Sequence, residues 1–331
     1  MRLTKILLLV VCALPLIIVT QDCADSSLEV ARPEKIRSKR LVVYDVETYA
    51  ELADLWEAYY SQFPSEDAYA NWMYAARYAQ WDDYEELLEK GLRKYPANPV
   101  LLYLAGIKKH GSADNEEAIT YLERAVTLDP SYIDPWFSLV VNYMIRDDHQ
   151  QTDVALQRLL ESGAIAEEVM DYSYNMLLAL DRDAILITNG DNDTYPGWIL
   201  TRLLNHRPDV IIVNRSLLNT DWYPLYVIRE GVPRFITSDE LEKLRDSTKP
   251  PYSEILIPRI IDAAIKEGRP VYFSHTLTPT EMVLRYRQDG EMLGLVALIT
   301  PPSEQYKISL ERTIRTWLED FRTAGMDSWS L

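Results

Sequence analysis

The chain has 331 residues, enough for two domains that each bury a hydrophobic core. Its 34 Lys and Arg residues against 51 Asp and Glu residues give a net charge of −17 at pH 7. This charge repels the phosphates of nucleic acid and anionic lipid headgroups, so the composition argues against a nucleic-acid-binding or lipid-surface-binding protein.

The amino end has the pattern of a secretory leader. Arg2 and Lys5 precede an apolar run from residue 6 to 19, which is shorter than the roughly 18 apolar residues that a membrane-spanning helix needs. We therefore expect residues 1–24 to be a signal peptide or an N-terminal anchor. The protein would then be exported to the periplasm or cell envelope, either soluble or N-terminally anchored, with membrane contact only through this segment. Residues 25–45 are charged, and we predict a flexible linker there.

Residues 46–180 have a helical pattern that contains a repeat. Pro96 and Pro130 end two similar segments, EKGLRKYP and ERAVTLDP, and lie 34 residues apart. Gly106, Ala118 and Leu122 fall where the two helices of such a repeat pack closely. Residues from about 66 to 164 resemble tetratricopeptide repeats, which implies a helical superhelix with a concave surface that binds a protein or peptide. A superhelix with a purely structural role is the alternative.

In this array, helices near residues 47–62 and 164–179 would cover the two ends. Aromatic side chains dominate the energetics of many protein interfaces, so exposed Tyr and Trp side chains on the concave face are the expected anchors for a partner. The candidates are Tyr74, Tyr78, Tyr103, Trp136 and Tyr143.

The pattern changes near residue 181 from long helices to short apolar runs, which predicts a second domain at 181–331. Strands are expected at residues 184–188, 210–213, 271–273 and 292–300, and a hairpin around Gly231 from residues 225–229 and 235–237. Helices are expected from about residue 194, from 238, over 254–266 and over 310–321, the last with Ile314, Trp317 and Leu318 facing inward. The predicted fold is an α-helical tetratricopeptide-like superhelix followed by an α/β domain with a mainly parallel sheet.

Polar residues follow the first two strands of this domain, at the carboxyl edge where open α/β sheets bind ligands. Their amide and carboxylate groups, with two tryptophan rings nearby, suit a carbohydrate-type ligand. The candidate ligand-binding residues are Asn189, Asp191, Asn192, Asp193, Trp198, Asn214, Asn219, Asp221 and Trp222.

Asp191 and Asp193 offer a specific chemistry. Carboxylates are the hard oxygen ligands that Mg²⁺, Mn²⁺ and Ca²⁺ prefer, and the spacing resembles the D-x-D element with which many glycosyltransferases hold a metal-bound sugar nucleotide. The alternative is that these side chains cap the following helix and brace its loop. A glycine-rich phosphate loop, a G-x-S-x-G motif and a zinc-type Cys/His spacing are all missing from the sequence, and we identify no catalytic residue.

Three longer strings point to a family. TNGDNDTYPGW, RPDVIIVNRSLLNTDWY and GRPVYFSHT resemble the soluble C-terminal region of bacterial protein O-mannosyltransferase-like membrane glycosyltransferases, over about residues 180–300. In that family a membrane portion precedes this region, whereas in this chain the helical repeats precede it. The resemblance therefore implies a module separated from the membrane portion and accessory to surface glycan or glycoprotein handling. We therefore expect a non-enzymatic binding or scaffold protein. The alternatives are a metal-assisted glycosyltransferase-like enzyme that uses Asp191 and Asp193, and a purely structural envelope protein.

Overall fold

The structure, a computed structural model, describes residues 31–108, 115–249 and 251–300, with Glu311, Ile314, Arg315 and residues 317–322 near the carboxyl end. The expected leader at residues 1–24 lies outside the described residues. In the part of the chain that is described, no helix is both long and apolar enough to cross a membrane.

From residue 46 to residue 178, all the regular secondary structure of the described chain consists of helices. They are α1 (Val46–Gln62), α2 (Glu66–Tyr78), α3 (Tyr84–Lys94), α4 (Pro99–Lys108), α5 (Asn115–Leu128), α6 (Asp134–Ile145), α7 (His149–Ser162) and α8 (Glu167–Leu178). The side chains of Asp45, Ser65 and Asp148 accept backbone N–H groups at the starts of α1, α2 and α7, which satisfies donors that a helix start leaves free. Neighbouring helices pack side by side, most closely α1 on α2, α4 on α5 and α6 on α7.

One of these close approaches depends on a glycine. A Cβ atom on Gly106 in α4 would lie 2.7 Å from Leu122 Cγ and 3.2 Å from the Ala118 carbonyl oxygen in α5. The three residues that the repeat pattern placed at packing positions therefore meet, and a larger residue at 106 would force α4 and α5 apart.

The second half combines short strands with helices. Its elements are β1 (Ile185–Thr188), α9 (Asp191–Trp198), β2 (Ile211–Asn214), α10 (Tyr223–Arg229), α11 (Ser238–Ser247), α12 (Ser253–Lys266), β3 (Val271–Ser274), α13 (Glu281–Asp289), β4 (Glu291–Leu293) and β5 (Val296–Leu298). A π-helical turn, Ile199–Leu203, continues α9 after Pro196, and a 3₁₀ turn, Leu217–Asn219, follows β2.

The sheet is mixed, so the prediction of a mainly parallel sheet was wrong. Its strand order is β2-β1-β3-β5-β4, with β1 parallel to β2 and β3, and β5 antiparallel to both β3 and β4. The apolar stretch 292–300 was predicted as one strand, but it turns back at Gly294, which has φ +58°. A direct turn of this kind joins antiparallel strands, whereas parallel neighbours need a long crossover.

Two further expectations in this half were wrong. The hairpin around Gly231 does not form, because Pro224 lies in the first turn of α10 and residues 223–229 are helical. Near the carboxyl end, Ile314 and Leu318 do not face inward, since they are 56% and 84% exposed.

Both halves share one continuous set of buried apolar side chains. Helix α8 packs on α9, and the Tyr195 hydroxyl of α9 donates to the Phe137 carbonyl oxygen of α6 at 2.8 Å. Burial raises the pKa of Tyr195 to about 12, so this hydroxyl stays a donor at neutral pH. The helical array thus packs on α9, the helix that follows β1, while the division of the chain near residue 180 stays a prediction.

Candidate functional site

An amino-terminal segment, residues 32–40, lies along an inner groove of the helical array. Residues 32–38 are in neither a helix nor a strand, and the chain then turns at residues 39–41, where the backbone N–H of Leu41 donates to the Ser38 carbonyl oxygen at 2.9 Å. The segment itself, with Lys35, Ile36, Arg37 and Ser38, and the following Leu41 form one wall of this groove. On the side of the array the groove is lined by Glu66, Asp67, Ala70, Asn71, Tyr74, Asn98, Pro99, Val100, Asp129, Tyr132 and Asp134. The sequence pattern placed the segment in a linker, yet the backbone N–H of Ile36 donates to Asn71 Oδ1 at 3.0 Å and that of Lys39 to the Tyr74 hydroxyl at 2.8 Å. Side chains of the array therefore bind backbone N–H groups of the segment.

Asp134, at the start of α6, is the buried centre of this groove. Its carboxylate accepts hydrogen bonds from the hydroxyls of Tyr74 at 3.0 Å and Tyr132 at 3.3 Å, and from the hydroxyl of Ser38 in the segment. Burial raises the pKa of Asp134, and these hydrogen bonds together with the nearby charge of Arg40 oppose that rise. The segment thus supplies two of the groups that stabilise a buried carboxylate.

The charges of segment and groove are complementary. The segment carries five basic residues, Arg32, Lys35, Arg37, Lys39 and Arg40, against the single acid Glu34. The groove wall carries Glu66, Asp67, Asp129 and Asp134. At one end Arg32 pairs with Asp67 at 2.6 Å, and further along the Lys39 ammonium lies 4.5 Å from the centre of the Tyr78 ring. The groove is therefore suited to an extended basic chain.

The five aromatic side chains expected as partner anchors have different positions. Tyr74, Tyr103 and Tyr143 are buried, while Tyr78 and Trp136 are partly exposed. Tyr74 and Tyr78 contact the segment. Tyr103 packs edge to face on Tyr132, and the Tyr143 hydroxyl donates to Glu123 at 2.9 Å. The groove therefore contacts the segment through the hydroxyl of the buried Tyr74 and the ring of the partly exposed Tyr78.

A second concave feature, here called the cleft, lies between α8 and the loop after β1. It has a volume of about 560 Å³ and is lined by Glu168, Val169, Tyr172, Asn189, Gly190, Asp191, Asn192, Asp193 and Thr276. Four predicted ligand-binding residues line it: Asn189, Asp191, Asn192 and Asp193. The wall from α8 was missed by sequence reasoning, because no pattern links Tyr172 to a loop that follows the next strand.

Within the cleft, Asp193 is engaged inside the protein. Its Oδ2 accepts the backbone N–H of Asn189 at 2.7 Å, its Oδ1 accepts that of Gly190 at 3.0 Å, and the Thr276 hydroxyl also donates to it. These contacts brace the loop at the start of α9. The side chain of Asp191, in contrast, is 46% exposed and pairs with Arg40. The two carboxylates of the D-x-D sequence therefore have separate partners.

The polar residues after β2 do not line the cleft. The Asn214 amide donates to Thr194 at 3.0 Å, and Asn219 accepts the backbone N–H of Ser253 at 3.0 Å. Asp221 lies 3.3 Å from Arg245, and Trp222 packs on Tyr223 and Tyr226. Trp198 is also away from the cleft, since it is buried against Tyr195. These five candidate residues brace loops and helices in this structure.

Among the described residues, one group of three metal-type side chains has its ligand atoms within 4.8 Å of one another: Asp147, His149 and Glu230. Arg229 lies 3.5 Å from Asp147 and Arg202 lies 3.5 Å from Glu230, so cations of the protein already balance these carboxylates. The predicted metal ligands Asp191 and Asp193 are not in this group. A divalent cation at Asp191 would compete with Arg40, and at Asp193 with its two backbone donors.

Part of the chain is similar to a known protein family. A family model described as TMEM260-associated domain 2 matches residues 169–230, which run from α8 through α10. No curated protein and no solved structure matches the chain. The match covers a minority of the chain. It includes the cleft residues from Asn189 to Asp193 and, on the opposite wall, Val169 and Tyr172. Most residues that line the cleft therefore lie in the part of the chain that is similar to this domain.

Proposed function

We propose that this protein is a non-enzymatic binding or scaffold protein whose helical array receives an extended peptide of a protein partner in the inner groove. The observation that carries the proposal is the recognition of backbone groups by Asn71 and Tyr74. A backbone N–H is present whatever the side chain, so these contacts act on any extended chain of the right charge. The Asn71 amide is itself held by a hydrogen bond to the Asp67 carbonyl oxygen at 2.8 Å, which preorganises the acceptor.

The helix arrangement supports a tetratricopeptide-like array. The pairs α2/α3, α4/α5 and α6/α7 begin at residues 66, 99 and 134, so the spacings are 33 and 35 residues. Repeats of this size stack through their neighbours and form a continuous concave face, with α1 and α8 at the ends of the array.

A second candidate function is the binding of a glycan-type ligand in the cleft. Asn192 and Asp191 are exposed polar groups there, and Tyr172 adds an aromatic side chain, a combination that suits sugar hydroxyls and ring faces. The similarity to the TMEM260-associated domain supports this candidate, since TMEM260 is a glycosyltransferase-like protein. Together with the leader pattern and the O-mannosyltransferase-like strings, it favours an exported accessory protein in surface glycan or glycoprotein handling.

The peptide-binding proposal is tested by hydrogen exchange of the Ile36 and Lys39 amides in the full chain. We expect both to exchange slower than in a free peptide, with Asn71→Ala accelerating Ile36 and leaving Lys39 slow. Exchange of both amides at the free-peptide rate in the unchanged chain would remove the basis of the proposal.

The cleft is tested by calorimetric titration with sugar nucleotides and oligosaccharides, with and without Mn²⁺. Glycan binding that Asp191→Asn weakens would support the second candidate. Mn²⁺-dependent binding of a sugar nucleotide would instead favour the metal-assisted enzyme. If neither the groove nor the cleft binds, the structural envelope role is the better account.

A further inference from the structure

We propose that residues 32–40 are an intramolecular ligand that occupies the inner groove until a partner's extended basic peptide displaces it, and that displacement also removes Arg40 from Asp191 in the cleft. This inference rests on the proposed peptide-binding role of the groove. It adds the chemistry of the partner and a link between the two sites.

The contacts of the segment are those of a displaceable ligand. They are mainly backbone hydrogen bonds, the Ser38 hydroxyl on Asp134, and ion pairs at the rim. Ile36 also packs against the core, but it is only partly buried. Leu41 and Val43, which follow the segment, are 54% and 75% exposed, so they add little buried apolar area. Polar and ionic contacts of this kind can be exchanged for equivalent contacts from another chain, whereas a segment anchored by a large apolar core could not leave without unfolding the array.

Asp134 sets what a replacement chain must provide. A buried carboxylate that loses a hydrogen-bond donor and a nearby cation is strongly penalised. When the segment leaves, the Tyr74 and Tyr132 hydroxyls remain, but the Ser38 hydroxyl and the Arg40 charge are lost. A partner peptide should therefore carry a Ser or Thr with a basic residue two positions later, within a basic stretch that can turn after the Ser or Thr as the segment does.

Arg40 connects the groove to the cleft. Its guanidinium lies 4.7 Å from the centre of the Phe137 ring and pairs with Asp191. Phe137 in turn contacts Tyr195 of α9, with ring centres 5.0 Å apart. Because the Arg40–Asp191 pair forms only while the segment is in place, occupancy of the groove and the charge environment of the cleft are thermodynamically linked.

The tether makes the segment a strong competitor. A ligand joined to its site by a short chain has an effective concentration on the order of millimolar, so a free peptide of equal intrinsic affinity must exceed this concentration to replace it. The intact protein should therefore bind the segment's own sequence weakly in trans, and a variant with a weakened segment should bind it well.

The experiment compares two full-length proteins by fluorescence anisotropy at 0.15 M salt. One is the unchanged chain. The other is a released variant with Arg32→Glu, Ser38→Asp and Arg40→Glu, which adds negative charge against Asp67, Asp134 and Asp191. The probe is a fluorescein-labelled peptide with the sequence of residues 31–43. Controls are a scrambled peptide of the same composition, a peptide with Ser38 replaced by Ala, and the released variant that also carries Asn71→Ala. Circular dichroism verifies that each variant is folded.

We expect the released variant to bind the probe at least tenfold more tightly than the unchanged chain, and the Asn71→Ala, scrambled and alanine controls to bind weakly. Equal binding by both proteins would overturn the competition while leaving the peptide-binding groove intact. Equal binding of the scrambled peptide would overturn the stated partner chemistry. If no peptide binds the folded released variant, both this inference and the proposed function fail.

The link to the cleft has its own test. Asp191→Asn in the unchanged chain removes the partner of Arg40 without altering the groove. The probe for this test has Arg40 replaced by Gln, so that it cannot itself pair with Asp191. Since a partly exposed ion pair contributes up to about 1 kcal/mol, binding of this probe should tighten by about two- to fivefold. Arg245→Gln, which removes the comparable exposed pair with Asp221, is the matched control and should change nothing. Unchanged probe binding by Asp191→Asn would overturn the link.

Discussion

The Arg207 guanidinium binds the Asp209 carboxylate through two parallel hydrogen bonds, Nε to Oδ1 at 2.9 Å and Nη2 to Oδ2 at 2.8 Å. The same guanidinium donates to the carbonyl oxygens of Leu177, Leu180 and Asp181 at the end of α8. Five hydrogen bonds from one side chain thus join the last turn of α8 to the entry of β2. The pairing also lowers the pKa of Asp209 to about 2, mainly through its hydrogen bonds with Arg207.

We predict that Arg207→Ala lowers the free energy of unfolding by about 2–3 kcal/mol, because carbonyl groups at the end of α8 lose a charged donor. Arg207→Lys should restore little of this loss, since an ammonium group cannot reproduce the fork geometry. Urea denaturation provides the measurement. Arg182→Ala is the control, because that side chain is 84% exposed and its loss should cost less than about 0.5 kcal/mol. Full rescue by Lys would show that charge alone matters here.

The two aspartates of the cleft should differ in their effect on stability. Asp193→Ala removes the acceptor of two backbone N–H groups, and we expect a loss of about 0.5–2 kcal/mol. Asp191→Ala removes only a partly exposed ion pair, so its cost should be below about 1 kcal/mol. Thermal denaturation of the two variants side by side tests this order. A larger loss for Asp191→Ala would mean that the roles of the two carboxylates are reversed.

His206 should make stability depend on pH. Its ring stacks on Tyr174 with centres 4.0 Å apart, and burial, followed by the charge of Arg207, lowers its pKa. A histidine with a lowered pKa in the folded state stabilises fully above its unfolded pKa of about 6.5. That contribution is lost as the pH falls from about 6.5 through the folded pKa, since the unfolded chain takes up the proton first.

We therefore expect the melting temperature to fall more between pH 7.5 and pH 5.5 in the unchanged protein than in His206→Gln. His149→Gln, at a position with a 52% exposed side chain, serves as the control for losing a histidine. Equal pH slopes for the unchanged protein and His206→Gln would contradict the prediction.

Helix α8 should be needed for the second half of the chain to fold well. It packs on α9, forms one wall of the cleft with Tyr172, and is bound by Arg207. We predict that a fragment of residues 165–331 melts cooperatively at a higher temperature than a fragment of residues 183–331, as followed by circular dichroism. If both fragments melt alike, α8 belongs energetically to the helical array alone.

Part of this architecture could be predicted from the sequence. Continuous apolar runs indicated β1, β2 and β3 to within one residue, and the apolar face of 254–266 indicated α12. Residues 225–229 were misread because they are rich in β-branched and aromatic residues, while the helix-starting effect of Pro224 was overlooked. Gly294 lies inside an apolar run, so its turn was also missed.

The contacts that define the two sites could not be predicted in this way. Ser38 and Asp134 are 96 residues apart, and Arg40 and Asp191 are 151 apart. Periodicity reports only which face of its own element a residue occupies, and it contains no information on such distant pairs. The five basic residues of 32–40 could have indicated that this segment binds the acidic helical array. The segment has no helix or strand periodicity, however, and such a stretch is equally typical of a flexible linker.

The strand order of the sheet has a consequence for self-association. Among the described residues β4 forms one border of the sheet, and both it and its neighbour β5 have only three residues. A border this short offers an incoming strand few unpaired amide and carbonyl groups, which is one of the ways in which natural sheets avoid growing from one molecule into the next. Met292 on β4 is exposed and adds apolar surface at this border. The backbone beside it is nevertheless too short to pair with more than a few residues of a strand from another molecule.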